Sequence, residues 1–356
     1  MEPTVRHPPA DLSGFAAAVL EAVDVPREHA ATTAGLLVAA DLRGRTGHGL
    51  IRLPSYVARI RSGGLAAEAT TTVLHETPVS AQIDGANGLG QMVMSHATEL
   101  AIEKAATSGL AWVGTTRSNH AGAGGLYVEQ AADRGLVGIY MAVANANGMP
   151  PWGGTDPILG TNPLAIGIPR AGGHPFILDI ATTNASHGTI KVAAREGSPM
   201  PEGWVVDHDG KPISDPARAD EGYLVPMGGY KGTGLTIAIG LLAGVINGAA
   251  FGRDVVDQRT DLTTPTNTGQ SILVLRPDLF GDRDTVLAEL GRQIDDLRSS
   301  ATRDGSPVRL PGDEAARVRH DNELNGVEVP DGLAQELARL VADLGVPSPF
   351  DEQEQS

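Results

Sequence analysis

The sequence predicts a mixed α/β protein, and three observations carry that reading. Residues 1 to 65 repeat apolar residues at helical spacing. Two later runs, Leu110 to Thr116 and Leu136 to Val143, read as buried strands. Helical and strand patterns then follow one another, without the regular alternation that would force a doubly wound parallel sheet.

In chain order, Leu12, Phe15, Ala16, Val19, Leu20 and Val23 mark the first helix, with Asp11 or Ser13 as its N-cap. A second helix runs from about Arg27 to Leu42. Gly44 to Gly49 breaks it, and a further helix covers about Pro54 to Arg61, where the proline suits a first turn. Residues 71 to 84 alternate and carry β-branched side chains, so they read as strands. Gly88 to Ser108 is a long helical pattern, and Tyr127 to Arg134 is a helix between the two buried strands. Residues 145 to 175 are rich in Gly and Pro. Short strands follow at Leu164 to Ile168 and Phe176 to Ile180, and residues 197 to 230 are mostly loop. Lys231 to Val245 is a helix whose glycines allow close packing. Ser271 to Leu275 is a strand, and Thr285 to Leu297 and Asp331 to Leu344 are helices. The tail from Gln353 to Ser356 is expected to be disordered. The domain reading joins the helical region 1–70 to C-terminal helices within 282–350, around an α/β nucleotide- and substrate-binding domain at 71–281.

Composition bounds the function. The 356 residues carry a formal charge of −16, which argues against a nucleic-acid-binding surface and requires any anion site to be built from local cations. There is no cysteine, so disulfides, thiolate catalysis and Cys-ligated zinc are excluded. His187 and His208 show no metal-ligand spacing, and no metal is expected. The first 20 residues lack a signal-peptide pattern, and Leu235 to Val245 is too short to span a bilayer. The expectation is a cytoplasmic protein with no membrane partner.

The chemistry-bearing residues gather in a few segments. Arg117-Ser118-Asn119-His120 follows a buried strand and precedes Gly122, Gly124 and Gly125. Gly160-Thr161-Asn162-Pro163 lies further on, and Gly47-His48-Gly49-Leu50-Ile51-Arg52 lies upstream. A histidine between glycines can titrate and be approached by a ligand. An arginine four residues later shares its face if the backbone between is helical, and its fork would grip a carboxylate. Two histidines, an arginine and small polar residues beside glycines suit an enzyme that binds an anion and moves one proton. Asp179, in an apolar strand, needs a partner: a histidine or backbone amides. Lys231 at a helix start could meet a phosphate. No clean Gly-x-Gly-x-x-Gly fingerprint follows a strand, and Gly229-Tyr230-Lys231-Gly232-Thr233-Gly234 lacks a P-loop ending.

Five segments in order carry a resemblance: Ala40-Asp41-Leu42-Arg43-Gly44 with His48-Gly49, Arg117-Ser118-Asn119-His120, Gly160-Thr161-Asn162-Pro163, Leu178-Asp179-Ile180-Ala181-Thr182 and Lys231-Gly232-Thr233-Gly234-Leu235. Over roughly residues 10 to 345 the chain resembles the malate/L-lactate dehydrogenase-like family, which includes sulfolactate and ureidoglycolate dehydrogenases, diketogulonate reductase and piperideine-carboxylate reductase. The resemblance implies a non-Rossmann, sulfolactate-dehydrogenase-like fold with a large mixed sheet. It implies hydride transfer between NAD(H) or NADP(H) and a small 2-hydroxy or 2-oxo carboxylic acid, and a homodimer. A cyclic imino acid is the alternative substrate, and a non-catalytic cofactor-binding protein is the rival from another class. By position, the resemblance makes His48 and His120 the acid/base pair and Arg52 the carboxylate ligand, with Tyr56 in the same pocket. Thr161 and Asn162 join them on the substrate side. Pro175, Phe176, Ile177, Leu178, Asp179, Ile180 and Ala181, then Tyr230 and Lys231, then the late turn Gly312-Asp313-Glu314, match cofactor-contacting segments. The chain departs from the family where Gly47 stands in place of the usual serine, and Asn145-Ala146-Asn147 lacks the usual hydroxyl.

Overall fold

A computed structural model describes residues 5–350. The N-terminal part holds β1 (Arg6–His7), α1 (Pro9–Glu21), α2 (Arg27–Leu42) and α3 (Leu53–Arg61). The centre holds β2 (Thr72–Thr77), β3 (Ser80–Asp84), α4 (Gly90–Ser108), β4 (Leu110–Ser118), α5 (Gly125–Asp133), β5 (Val137–Ala142), β6 (Leu164–Ile168) and β7 (Phe176–Ile180). Next come α6 (His187–Glu196), β8 (Val205–Val206), β9 (Tyr223–Leu224), α7 (Tyr230–Ala243) and β10 (Thr268–Leu275). The chain ends in α8 (Arg283–Arg298), α9 (Asp313–Asn325), β11 (Val327–Glu328) and α10 (Asp331–Ala342).

One seven-stranded mixed sheet organises these elements, in the order β2-β3-β4-β10-β5-β6-β7. Only β3 and β4 run parallel, and the other neighbours are antiparallel. On one face, Val113, Tyr140, Ala165, Ile272 and Val274 join a core with apolar residues of α1, α2, α4 and α5. Gly138 and Gly167 let α5 approach closely, because a Cβ at either would press on Val128. On the other face, α7 places Ile239 and Ala243 against Met141 and Val143. Beyond the sheet, α6, β8 and β9 surround a smaller cluster that includes Met149, Leu159, Ile190 and Leu224. The chain ends meet where β1 pairs with β11 and where Asn322 of α9 donates to the Leu42 carbonyl at 3.1 Å.

The mixed sheet and the helical N-terminal region match the expected class. Some local readings need correction. The first helix opens at Pro9, one turn before an Asp11 or Ser13 cap would place it, with Pro8 at the cap and Asp11 in the first turn. A proline at the first position is preset for the helix and needs no side-chain cap. Two helices form where the sequence reading placed none. α6 falls between the predicted strands and the long loop. α9 begins at Asp313, where the sequence suggested only a turn; Asn322 is its one fully buried residue, so it carries no apolar stripe to read. The tail from Gln353 lies outside the described residues.

Candidate active site

Two short 3₁₀ turns, Thr46–His48 and Leu50–Arg52, bring the first site residues in from α2. The buried Asp41 carboxylate accepts the Leu50 amide at 2.8 Å and so caps the second turn. A Cβ at Gly49 would run into that carboxylate, so the link between the turns requires glycine. The Arg52 Nε donates to the Gly47 carbonyl at 2.6 Å, which turns the guanidinium toward the chain that carries His48. The backbone from 48 to 52 is thus not one helix, yet both side chains line one cavity.

The second histidine comes from the end of β4. Asn119, buried beside it, donates to the Gly88 carbonyl at 2.9 Å and accepts from the Thr266 hydroxyl at 3.1 Å. The Gln270 side chain holds the Asn119 carbonyl at 2.8 Å. Gly90 opens α4 against this strand end, where a Cβ would collide with the carbonyls of Asn119 and His120. His120 is therefore fixed by buried polar bonds and a close backbone approach.

The rings of His48 and His120 lie parallel, 5° apart in plane, with centroids separated by 5.4 Å. Burial pushes His48 down to about 3, helped by the positive charges of Arg52 and Arg45. His120 is held well below the ordinary histidine value by burial, then by Arg52 and His48. Both rings are neutral at pH 7. Burial also lowers Arg52, and among the described residues no carboxylate pairs with it. A largely buried guanidinium without an acidic partner is set to receive an external anion.

These residues stand on one wall of a cavity of about 710 Å³, which opens where β4, β5 and β7 end. Thr161 also lines it, as do Asp179, Ile180 and Ala181. Asp179 Oδ2 accepts the Gly125 amide at the start of α5, at 2.9 Å, and burial raises its pKa. The aspartate thus meets a backbone amide, one of the two partners expected. Asp179 and Arg45 also border a smaller adjoining cavity lined by Ile177 and Gly312.

The remaining expected residues stand elsewhere. Tyr56 is buried behind His120 and lines neither cavity. Asn162 is also buried behind the wall, accepting from the Ala144 amide at 3.0 Å and donating to the Thr236 carbonyl at 2.9 Å. Pro175, Phe176 and Leu178 lie on β7 or just before it, off both cavity linings. Tyr230 and Lys231 are exposed at the start of α7, where Tyr230 meets Trp152 edge to face. Asp313 binds the Leu310 amide and Arg298, and Glu314 binds Arg317.

The cavity also has residues that sequence reasoning did not gather. Asn145, Gln258 and Gln270 line it, and so does the start of α6. There Ser186 caps the helix by accepting from the Thr189 amide at 3.1 Å. His187 meets Arg259 at 3.2 Å, and burial pushes this histidine down to about 4. Arg259 is itself held by Asp257 at 2.7 Å and Asp220 at 3.2 Å, so it is not a free cation like Arg52. The Ser186-to-Thr189 cap pattern was legible, but nothing local links residues 186, 258 and 48. At Gly47 an added Cβ would lie 3.6 Å from Gly188, an ordinary contact, so the site has room for a side chain there. Among the described residues, no group of three or more His, Asp or Glu side chains is placed to hold a metal.

Known proteins resemble this chain over most of its length. Residues 8–338 match the family described as malate/L-lactate dehydrogenase. The chain is 36% identical to L-sulfolactate dehydrogenase of Methanocaldococcus jannaschii over 92% of its own length and 94% of the relative's. The solved structure of sulfolactate dehydrogenase from that organism superposes with a TM-score of 0.88, covering 96% of this chain and 98% of the other. Ureidoglycolate dehydrogenase (NAD(+)) of Escherichia coli O157:H7 is 35% identical over 87% of this chain and 88% of its own. A (2R)-3-sulfolactate dehydrogenase (NADP(+)) of Chromohalobacter salexigens is 35% identical over 91% and 94%. With the match spanning the whole seven-stranded sheet and every segment that lines the cavity, the chain belongs to the malate/L-lactate dehydrogenase family.

Proposed function

We propose that this protein is an NAD(P)-dependent oxidoreductase that moves a hydride between nicotinamide and a small 2-hydroxy or 2-oxo carboxylic acid. One observation carries the reading: the unpaired Arg52 guanidinium beside two parallel, neutral histidines. Arg52 holds the substrate carboxylate, which sets the neighbouring carbon and its oxygen against the histidine rings. The bound anion offsets the positive charge that depresses both rings, so substrate binding raises their affinity for a proton. His48 gives that proton to the substrate oxygen during reduction and takes it back during oxidation.

The cavity is large enough for more than a small acid. Asp179, Ile180 and Ala181, with Gly122, form the part that would hold the nicotinamide end, and Ile177 and Gly312 border the cavity beyond it. When bound, the dinucleotide supplies or accepts the hydride. Lys231 and Tyr230 reach a dinucleotide on this reading only from outside these two cavities.

The protein acts in the cytoplasm as a homodimer on this proposal. Exposed Leu241 in α7, with Val245 and Ile246 in the 3₁₀ turn just after it, is the apolar surface that favours self-association. Light scattering of the purified chain should give twice the monomer mass, and Ile246→Glu should shift it toward monomer. Among the described residues, no helix is long and apolar enough to cross a membrane.

The deciding experiment is a panel of 2-oxo acids and cyclic imino acids with NADH and NADPH, followed at the nicotinamide absorbance. Turnover of a 2-oxo acid is expected, with His48→Ala slower by about 10² or more. Turnover of cyclic imines alone would move the assignment to imine reduction. A folded protein that binds dinucleotide and turns over nothing would make it a binding protein.

A further inference from the structure

Behind His120 lies a buried polar chain that no substrate can touch. Gln91, the second residue of α4, is 0% exposed, and its Nε2 stands 2.7 Å from the Tyr56 hydroxyl. Tyr56, on α3, is 2% exposed, and its hydroxyl stands 2.7 Å from His120 Nδ1. The Gly122 amide also points at His120 Nδ1, at 3.4 Å. A tyrosine hydroxyl has a single hydrogen to give. With the Gln91 amide donating to its oxygen, that hydrogen goes to Nδ1. Two donors then converge on Nδ1, which must be bare, and the ring proton sits on Nε2.

The opposite polarity fits worse. If Gln91 were turned to accept, Tyr56 would donate to it and take a proton from Nδ1. That Nδ1–H would face the Gly122 N–H, and both hydrogens of the Gln91 amide would be buried without acceptors. Buried orphan N–H donors are rarer in folded proteins than under-satisfied carbonyls. In the arrangement present, one Gln91 amide hydrogen is used by Tyr56, and Oε1 is the side-chain atom of Gln91 left without a partner. His120 Nε2 is not among the buried atoms lacking a partner, and the ring lines the cavity, so its N–H is open to a ligand.

We propose that Gln91 and Tyr56 are positioning residues that fix His120 as the Nε2–H tautomer, making it a neutral hydrogen-bond donor to the substrate oxygen and leaving proton transfer to His48. This rests on the oxidoreductase reading above. The two histidines then differ in role: His120 polarises the carbonyl, and His48, whose ring has no such relay, exchanges the proton. Tyr56 serves the substrate only through His120.

Nitrogen-15 NMR of the full-length protein with labelled histidines tests this directly. His120→Gln assigns the ring by loss of its signals. The expected wild-type ring is protonated on Nε2 and bare on Nδ1, and does not titrate from pH 6 to 8. In Tyr56→Phe, a near-isosteric change, the Nδ1-protonated form should become detectable. Its kcat should fall roughly tenfold, with the KM for cofactor unchanged. A wild-type ring protonated on Nδ1 or on both nitrogens would overturn the proposal. So would a Tyr56→Phe ring indistinguishable from wild type. The spectra need no turnover, so failure of the substrate panel and failure of the relay are separate outcomes.

Discussion

On the proposed function, substrate recognition turns on Arg52, which lines the cavity with no carboxylate paired to it among the described residues. Its Nε is already used by the Gly47 carbonyl, so the two terminal nitrogens remain for the ligand. A lysine at this position carries the same charge but cannot hold the backbone carbonyl and a carboxylate in one plane. Arg52→Lys should raise KM for the acid substrate about tenfold or more and leave KM for the cofactor nearly unchanged. Steady-state kinetics with each substrate varied in turn checks this, and equal changes in both constants would remove Arg52 from carboxylate binding. His48 and His120 illustrate a second point at this scale. Each looks like a loop histidine in the sequence, and only the tertiary structure buries both rings beside Arg52, which lowers them below the ordinary histidine value.

Elements, rather than single contacts, keep the far wall of the cavity in place. Gln258 and Arg259 come from a long segment before β10 that has little secondary structure. Arg59 on α3 ties that segment down. This fully buried guanidinium donates to the carbonyls of Asp261 at 2.6 Å, Thr264 at 2.9 Å and Gly64 at 2.7 Å. Charged donors to backbone carbonyls are among the stronger neutral-partner bonds, and losing them leaves buried acceptors unpaired. Arg59→Met should therefore destabilise the fold by about 3 kcal/mol or more. A denaturant titration should show the lowered midpoint, and a loss below about 0.5 kcal/mol would mean that packing alone holds this segment. The same helix carries Tyr56, so α3 supports both the His120 side and the Arg259 side of the site.

The whole molecule responds to pH through buried groups that pull in opposite directions. Burial raises Asp41 to about 7, outweighing the Leu50 amide that favours its charged form. A carboxyl raised above its unfolded value stabilises the fold at low pH, and that contribution is lost as pH rises through about 7. His48 is lowered, to about 3, so its contribution is present above the ordinary histidine value and is lost as pH falls toward 3. Asp41→Asn keeps an oxygen for the Leu50 amide and removes only the ionisation. Its Tm relative to wild type should therefore rise steadily from pH 4 to pH 7 and level off above. A difference in Tm that does not change with pH would show that Asp41 does not titrate in this range.

The sequence by itself determined the elements whose apolar pattern is strong. The helix at Arg27–Leu42 and the strands at Leu164–Ile168 and Phe176–Ile180 form with the limits read from it, because each buries a face that its own periodicity encodes. It also singled out His48, Arg52 and His120, since histidines and an arginine set among glycines are unusual locally. Tertiary structure decided the rest. The polar helix α9 has little apolar signal and is anchored by Asn322 on α2 and by Arg319 and Arg43 sharing Glu129. Whether Tyr56 faced the substrate or stood behind a histidine depended on where α3 met the start of α4, some 35 residues on. His187, Gln258 and Arg259 joined the site only when α6 and the segment before β10 closed over it. Periodicity is a property of a short stretch of chain, whereas a site is made by residues far apart in sequence, and their meeting is fixed only by packing.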